Sequence, residues 1–314
     1  MVDLKIVYSY ASYQGQRPSF RAATVSLLLL SAWGCGIKTQ VKIPVSPKIA
    51  AAKSATVQEL LALLRDYSDK ITSLSSTSMR VDLTTGTAEG GTVQKYHSAP
   101  GYILLRRPDD IRLNIQAPVT KTTVIELLSR GDQFEVWNPR DNKVYVGRNS
   151  ARGFELEENG EALVSTARPA HIFEAILPRP IMLNQTDLRI SSTEEEDAQA
   201  KYYVLTLLQE TGGVEMRALR RLKIERSEMV VVEEETFTET GRVASIVDYS
   251  DLARFDGVLL PHEIHIERPI DGYSLGLHFK DWRLNPNLDD SAFVLNPGPR
   301  AERVILKEKG KGDS

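Results

Sequence analysis

The sequence predicts a mostly β, α+β fold in which two helices accompany one antiparallel sheet of about ten or eleven strands. Segments with alternating apolar and polar residues recur from Met79 onward, and this period of two is typical of half-buried strands. Turn-forming stretches such as NPRDN (residues 138–142) and TETGR (238–242) join neighbouring segments as hairpins, which indicates antiparallel pairing. Two other stretches carry apolar residues at helical spacing instead.

The first ordered element is predicted to be a helix that begins after Thr56. Thr56 and Glu59 stand at the spacing of a capping box, in which each side chain accepts a hydrogen bond from a free backbone N–H group. Apolar residues follow at steps of three or four positions and form one stripe: Val57, Leu61, Leu64, Tyr67, Ile71 and Leu74. The stripe predicts that this helix packs against an apolar surface.

The strands that follow the first helix differ in how many of their faces are apolar. Ile111, Leu113 and Ile115 alternate with polar residues, which predicts a strand with one buried face. The segment YYVLTLL (202–208) is instead apolar at nearly every position. Since such a strand has two apolar faces, we expect protein to cover both sides of the sheet there.

A second, shorter helix is predicted within RPAHIFEAILPRP (168–180). Pro169 suits the first turn of a helix, and Pro178 is expected to end it. Ile172, Phe173, Ile176 and Leu177 share one face: the helix is short and very apolar. Two interpretations remain open, namely a core helix that plugs one end of a barrel and a lid that covers a cavity.

The only cysteine of the chain, Cys35, follows a short apolar run at residues 22–33. That run is too short to span a bilayer, which needs about 20 residues, and basic residues precede it, as in a secretory signal peptide. The stretch LLLLSAWGCG (27–36) resembles the lipobox of bacterial lipoproteins, in which the bond before the cysteine is cut and its thiol is diacylated. Residues 1–34 are therefore predicted to be a lipoprotein signal peptide, with Cys35 as the lipidation site. The alternative is a buried free cysteine in a hydrophobic helix.

Cleavage before Cys35 would divide the chain into parts with different expected roles. Residues 36–55 contain two prolines, four lysines and no acidic residue. We therefore expect residues 35–55 to be a lipid-anchored flexible linker, 56–305 a folded domain and 306–314 a disordered tail. Gly36, rather than an aspartate, follows the cysteine, and this resembles an outer-membrane sorting signal. The expected location is the periplasmic face of the outer membrane.

Composition argues against several classes of protein. The chain has a net charge of −3, and removing a leader with three basic residues and one acidic residue leaves −5. A nucleic-acid-binding domain normally carries a strong basic excess, so no nucleic-acid partner is predicted. A single cysteine excludes internal disulfides and cysteine-based zinc or iron–sulfur sites.

No catalytic pattern emerges from the sequence. The stretch HEIH (262–265) is close to a zinc-protease motif, but its two histidines are one residue too near each other. The segment is also predicted to be a strand, which would point His262 and His265 to opposite faces. No G-x-S-x-G motif or phosphate-binding glycine loop occurs. We therefore predict that the protein is not an enzyme and that it has neither a cofactor nor a bound metal.

The order of motifs resembles the LolA/LolB-like superfamily of periplasmic lipoprotein carriers and outer-membrane lipoproteins. In that superfamily a strand with Arg-Pro and Arg, a hairpin with Gly-Asp, Trp and Pro, and a closing segment with Asn, Leu and Phe recur in this order. The matching residues here are Arg107, Pro108, Arg112, Gly131, Asp132, Trp137, Pro139, Asn285, Leu288 and Phe293. The resemblance covers about residues 56–305. It implies an antiparallel half-open β-barrel whose concave face is apolar and covered by the two helices.

The resemblance also implies a function without chemistry, the holding of acyl chains in an apolar cavity. Acyl chains or lipoproteins are then the expected cargo, and the lipid anchor places the protein on the membrane. Alternating apolar residues supply the candidate cavity lining: Leu61, Leu64, Phe134, Val136, Val144, Phe173, Ile176, Leu177, Ile264, Ile266, Leu275, Leu277 and Phe279. The second hypothesis is a sensory or scaffold lipoprotein of the envelope that uses the same fold to bind a periplasmic protein partner.

Overall fold

The computed structural model describes residues 51–85, 94–151, 153–154, 168–181 and 186–308. These residues belong to one compact unit of the chain, residues 46–314. The predicted signal peptide, the lipidation site Cys35 and most of the predicted linker lie outside the described residues, as do residues 309–314 of the predicted tail. In the part of the chain that is described, no helix combines the length and the apolar composition needed to cross a membrane.

The described chain forms two α-helices, a short 3₁₀ helix and fifteen strands. The helices are α1 (Val57–Lys70), α2 (Pro169–Ile176) and the 3₁₀ helix (Asp290–Phe293). The strands of the first half are β1 (Ser73–Thr85), β2 (Gln94–Arg106), β3 (Asp110–Gln116), β4 (Thr123–Arg130), β5 (Gln133–Asn138) and β6 (Lys143–Arg148). The strands of the second half are β7 (Leu188–Glu196), β8 (Lys201–Gly212), β9 (Glu215–Glu225), β10 (Val230–Phe237), β11 (Val243–Phe255), β12 (Val258–Arg268), β13 (Tyr273–Phe279), β14 (Arg283–Leu284) and β15 (Glu302–Ile305).

All the strands belong to one open, curved sheet that does not close into a barrel. Its order is β15-β6-β5-β4-β3-β2-β1-β13-β12-β11-β10-β9-β8-β7, with β14 attached to β1. Neighbours pair antiparallel except β15 and β6, which are parallel. The predicted fold class, a mostly β, antiparallel half-barrel with two covering helices, is confirmed.

The sheet has more strands than the ten or eleven expected from the sequence. Two of the additional strands are very short, since β14 has two residues and β15 has four. A third, β7, forms one edge of the sheet and is exposed at most positions. The first two strands are too short to be recognised in the sequence, and β7, with nine residues, is mostly polar.

Helix α1 begins at the predicted capping box. The Thr56 backbone N–H donates to Glu59 Oε2 at 2.7 Å, and the Glu59 N–H donates to Thr56 Oγ1 at 3.3 Å. The most buried residue of the helix is Leu60, which the predicted stripe omits. The chain ahead of the helix already follows the sheet, because Lys53 N–H donates to the Arg226 carbonyl and Ala55 N–H to the Tyr203 hydroxyl, both at 2.9 Å.

Helix α2 lies over the concave face of the sheet. It contacts β3, β4 and β12, although β2, β1 and β13 separate β3 from β12 in the strand order. Because only a curved sheet brings such distant strands to one short helix, these contacts define the concave side. The Tyr249 hydroxyl, on β11, donates a hydrogen bond to the Ala175 carbonyl at 2.8 Å and so fixes the end of the helix to the sheet.

Candidate functional site

Ten of the thirteen predicted cavity residues belong to the main hydrophobic core, between the concave face and the helices. One of them, Ile176, is 6% exposed, and the other nine are buried more deeply. Each is at most 3% exposed: Phe134, Val136, Phe173, Leu177, Ile264, Ile266, Leu275, Leu277 and Phe279. These residues therefore lie together, as alternation predicts, but their side chains fill the space there. This central part of the concavity is packed core rather than an open cavity.

Val144 lies on the opposite face of the sheet. In the register of β5 and β6, Val136 faces Tyr145 and Trp137 faces Val144. Tyr145 therefore joins the concave core, whereas Val144 packs on the convex side with Leu128 and Phe293. The segment KVYVG is apolar on both faces, so alternation alone does not decide which of its residues points inward.

The remaining predicted residues, Leu61, Leu64 and Ile176, lie at the edge of the core beside an apolar groove. We call it the α1 groove. One wall is α1, a second is formed by residues 176–181, which end α2 and follow it, and the third is the inner face of β9–β12. Leu64 and Ile176 line the groove, and Leu61 packs against the small cluster beneath it. The other principal apolar lining residues are Leu60, Leu63, Ile181, Leu222, Ile224, Val231, Leu252 and Leu259.

The α1 groove is lined by many residues but is narrow. Its unoccupied volume is about 840 Å³ when the open solvent at its mouth is included. Only about 80 Å³ is open to the centre of a water molecule. Leu63 is 42% exposed at this surface. The shape suits a slender apolar chain and has no room for a bulky ring system.

An ion pair lies in the wall of the groove. Arg220 Nε is 2.8 Å from Glu234 Oε1, and Arg220 Nη2 donates to Oε2 at 3.0 Å. Arg220 Nη1 donates to the Arg179 carbonyl at 2.6 Å and so ties β9 to the segment after α2. Burial raises the pKa of the Glu234 carboxyl, and the charge of Arg220 lowers it in part. Since the two charges neutralise each other, this wall keeps its largely apolar character.

The groove residues on strands β9–β12 are not among the residues predicted from the sequence. Leu222 and Ile224 alternate with Arg221 and Lys223 in RLKIE, so the signal for a strand with one buried face was present. That signal does not show that this face meets α1, whose residues are some 160 positions earlier in the chain. The contact between the two depends on the fold of the whole sheet.

The motif residues behind the superfamily resemblance hold the fold together and do not line the groove. Asn285 Oδ1 accepts the Thr72 backbone N–H at 2.8 Å and fastens the closing segment to the start of β1. Arg112 Nε donates to buried Glu126 at 2.7 Å, and the Arg106 guanidinium stacks on the Phe293 ring with 4.8 Å to the centroid. These contacts explain why the motifs predict a fold more directly than a ligand.

The histidines of HEIH lie on opposite faces of β12, as predicted. His262 Nδ1 is 2.6 Å from the Phe279 carbonyl oxygen on the inner side, and His265 Nε2 is 3.2 Å from Glu267 Oε1 on the exposed side. Within the described ranges, no group of three or more histidine, cysteine or acidic side chains is placed to hold a metal ion.

His171 gives helix α2 an acid-sensitive contact. Burial, followed by the charges of Arg268 and Arg168, holds the pKa of His171 well below its usual value of 6.5. Asp271, 3.9 Å from His171 Nδ1, is already paired with Arg268 at 2.6 Å. His171 is therefore neutral in the folded protein at a pH where a histidine in the unfolded chain takes up a proton.

We expect acidification to destabilise the fold through His171. Below pH 6.5 the unfolded chain binds a proton that the folded chain does not, so the free energy of unfolding falls as pH falls. The slope reaches at most about 1.4 kcal/mol per pH unit. Urea unfolding at several pH values should show a flatter dependence for His171→Gln than for the unmodified protein. The exposed His97→Gln is the control, and equal slopes in all three proteins would contradict the prediction.

Three solved structures illustrate what this chain is similar to. A DUF1329 family protein from Desulfovibrio piger is 14% identical, with a TM-score of 0.49 over 77% of this chain and 98% of that one. A LolA superfamily protein from Nitrosomonas europaea is 17% identical, with a TM-score of 0.45 over 77% and 99%. A putative outer membrane lipoprotein-sorting protein domain from Vibrio parahaemolyticus is 12% identical, with a TM-score of 0.45 over 76% and 97%. No protein-family model and no curated protein matches the sequence.

Proposed function

We propose that this chain is an outer-membrane lipoprotein, anchored through Cys35, that holds an acyl chain of a lipid or lipoprotein in the α1 groove. The observation that carries the proposal is the groove itself, which is narrow, open to solvent at Leu63 and lined almost entirely by apolar side chains. Each CH₂ group that moves from water into such a site contributes about 0.8 kcal/mol. A carrier therefore needs apolar walls rather than catalytic groups.

The walls of the groove also suit reversible binding. Its strand side belongs to the sheet, whereas its helix side is α1, in which Leu64 is only half-buried and Leu63 is exposed. A shift of α1 away from β9–β12 would widen the groove without breaking a strand pair. Such a site can accept a chain and release it again, as a carrier or acceptor must.

Binding of an acyl chain is tested by placing a charge in the groove. We expect Leu64→Asp to weaken binding of a fluorescent fatty acid at least tenfold, about 1.4 kcal/mol, because the carboxylate would have to lose water when the chain enters. Leu64 is only half-buried, so the variant should keep its fold. Val214→Asp, at a fully exposed valine, is the matched control.

The outcomes of this titration distinguish acyl binding at another site from the absence of acyl binding. Unchanged binding in a folded Leu64→Asp variant would place the probe somewhere other than the α1 groove. Absence of probe binding to the unmodified protein would refute an acyl carrier altogether. Circular dichroism of each variant establishes that the comparison is between folded proteins.

The second candidate function, binding of a protein partner, is favoured by a different observation. The edge strand β7 is exposed at most of its positions and has no neighbour on its outer side in the described sheet. An extended segment of another protein could add to this edge through backbone hydrogen bonds. A sensory or scaffold lipoprotein would use such an edge, and cross-linking from residues 190 and 192 in whole cells would identify its partner.

A further inference from the structure

Basic side chains surround a recess at the end of the sheet formed by β2 and the β3–β4 turn. We call it the β2 recess. It consists of two hollows that share Pro118 as a common wall. The hollow on the concave side has about 760 Å³ open to the centre of a water molecule, and the hollow on the convex side about 570 Å³. Both are far roomier than the α1 groove.

The concave hollow has an apolar floor. Among its apolar lining residues, Val81, Leu83, Ile115 and Ile125 are buried members of the main core, each at most 8% exposed. The apolar lining that solvent reaches comes from Ala99, Pro118, Val124 and Pro139, which are partly or largely exposed. Pairing of Ile115 with Ile125 and of Val81 with Ala99 keeps these side chains on the inner face. The hollow therefore adjoins the core at this end of the sheet, and the partly exposed apolar residues supply the floor that a ligand could reach.

The rim of the recess is cationic. Lys95 and Arg140 line the concave hollow, and Arg80, Lys121 and Lys280 line the convex hollow. All five are exposed, and none has a carboxylate within 4.0 Å among the residues that the structure describes. Within the described ranges, which omit residues 86–93, no aspartate or glutamate belongs to the lining of either hollow.

Asp82, whose partner His278 lines the convex hollow, is already engaged. Asp82 Oδ1 accepts the Ser98 backbone N–H at 2.7 Å, and Asp82 Oδ2 lies 2.9 Å from His278 Nε2. The accumulation of cations is also not a by-product of overall charge, because the chain as a whole carries −3. By contrast, Arg220 in the α1 groove is neutralised by Glu234. The cations of the β2 recess therefore remain available to an external anion.

We propose that the β2 recess binds one molecule of a phospholipid with an anionic headgroup. The acyl chains would lie on the apolar floor, and the phosphate would lie among the basic side chains of the rim. Lysine and arginine are the usual partners of phosphate groups in proteins, and the adjoining apolar surface selects an amphiphile over a free ion. The site is separate from the α1 groove, so this proposal holds whether or not that groove takes an acyl chain.

The test compares lipids of equal chain length and different headgroup charge. Short-chain phosphatidylglycerol, short-chain phosphatidylcholine and glycerol phosphate are titrated into the full chain by calorimetry, each below the concentration at which it forms micelles. We expect phosphatidylglycerol to bind at least tenfold more tightly than either of the others. Raising the salt concentration should weaken that binding.

Variants locate the binding site. We expect the triple variant Lys95→Gln, Lys121→Gln and Arg140→Gln to lose at least tenfold in affinity for phosphatidylglycerol. The control removes the same net charge elsewhere, through Arg242→Gln, Arg300→Gln and Lys307→Gln, at three exposed side chains. It should bind like the unmodified protein. Since all six side chains are exposed, unfolding does not confound the comparison.

Three outcomes would overturn the proposal. Equal losses in the recess variant and the control would show that only net charge matters. Equal affinity for phosphatidylcholine would show that the basic rim does not select an anionic headgroup. Equal affinity for glycerol phosphate would show that the apolar floor does not bind the acyl chains. The lipid titrations are repeated with Leu64→Asp, which weakens any binding of acyl chains in the α1 groove. The preference for phosphatidylglycerol, and its loss in the recess variant, should persist in that background, so the two proposals fail independently.

Discussion

Replacing Leu277 with Asp is expected to unfold the domain. Leu277 is fully buried on β13, opposite Val81 on one side and Ile264 on the other. A carboxylate there would lie in the centre of the core without a partner, at a cost of several kcal/mol, and the apolar burial of leucine would be lost in addition, about 2–3 kcal/mol. The sum is comparable with the whole stability of a typical domain, about 5–15 kcal/mol.

Circular dichroism during urea unfolding measures this effect. We expect Leu277→Asp to give little soluble protein or no cooperative transition. Leu277→Met at the same position should cost less than about 1.5 kcal/mol, because it keeps the volume and polarity of the site. A folded Leu277→Asp protein with a transition near that of the unmodified chain would show that the concave centre admits water.

Replacing Cys35 with Ala is expected to abolish lipidation completely. The thiol is the only group in the chain that can carry the predicted thioether-linked diacylglycerol, since no second cysteine exists. Metabolic labelling with a radioactive fatty acid should mark the unmodified protein and leave Cys35→Ala unlabelled, as a precursor that keeps its signal peptide. Gly36→Ala is the control and should be labelled normally.

Labelling tests the lipid anchor, and fractionation tests the membrane in which the protein is located. Continued incorporation of fatty acid into Cys35→Ala would refute lipidation at this residue. If the lipid is present, fractionation should find the unmodified protein with the outer membrane. Recovery in the inner membrane would leave the anchor intact and would contradict the location proposed from Gly36.

Local pattern was sufficient for much of the fold. Alternation predicts that Ile264 and Ile266 share one face of their strand and that Leu275 and Leu277 share one face of the next. The structure pairs Ile264 with Leu277 and Ile266 with Leu275 on the same inner surface. A strand period of two fixes which residues share a face, and hairpin connections fix which strands are neighbours. Both kinds of information are contained within a few consecutive residues.

The candidate sites required information that no short segment contains. The α1 groove combines Leu64 with Leu222 and Leu252, and the β2 recess combines Lys95, Lys121 and Lys280. Their proximity follows from the order of fourteen strands along the sheet and from its curvature. Alternation also does not show whether an apolar side chain lines a space or fills it. The nine core residues and the groove residues therefore gave the same signal in the sequence.

The position of β1 has a consequence for how the chain assembles. Met79 of β1 pairs with Phe279 of β13, two hundred residues later in the chain. At the centre of the sheet, the first strand of the chain is therefore paired with one of the last. Pairings between such distant residues close large loops and are slow to form. Until β13 pairs with β1, a chain that folds from its amino terminus holds two half-sheets, each with an unpaired edge. That interval is when the protein most needs protection from association with other chains.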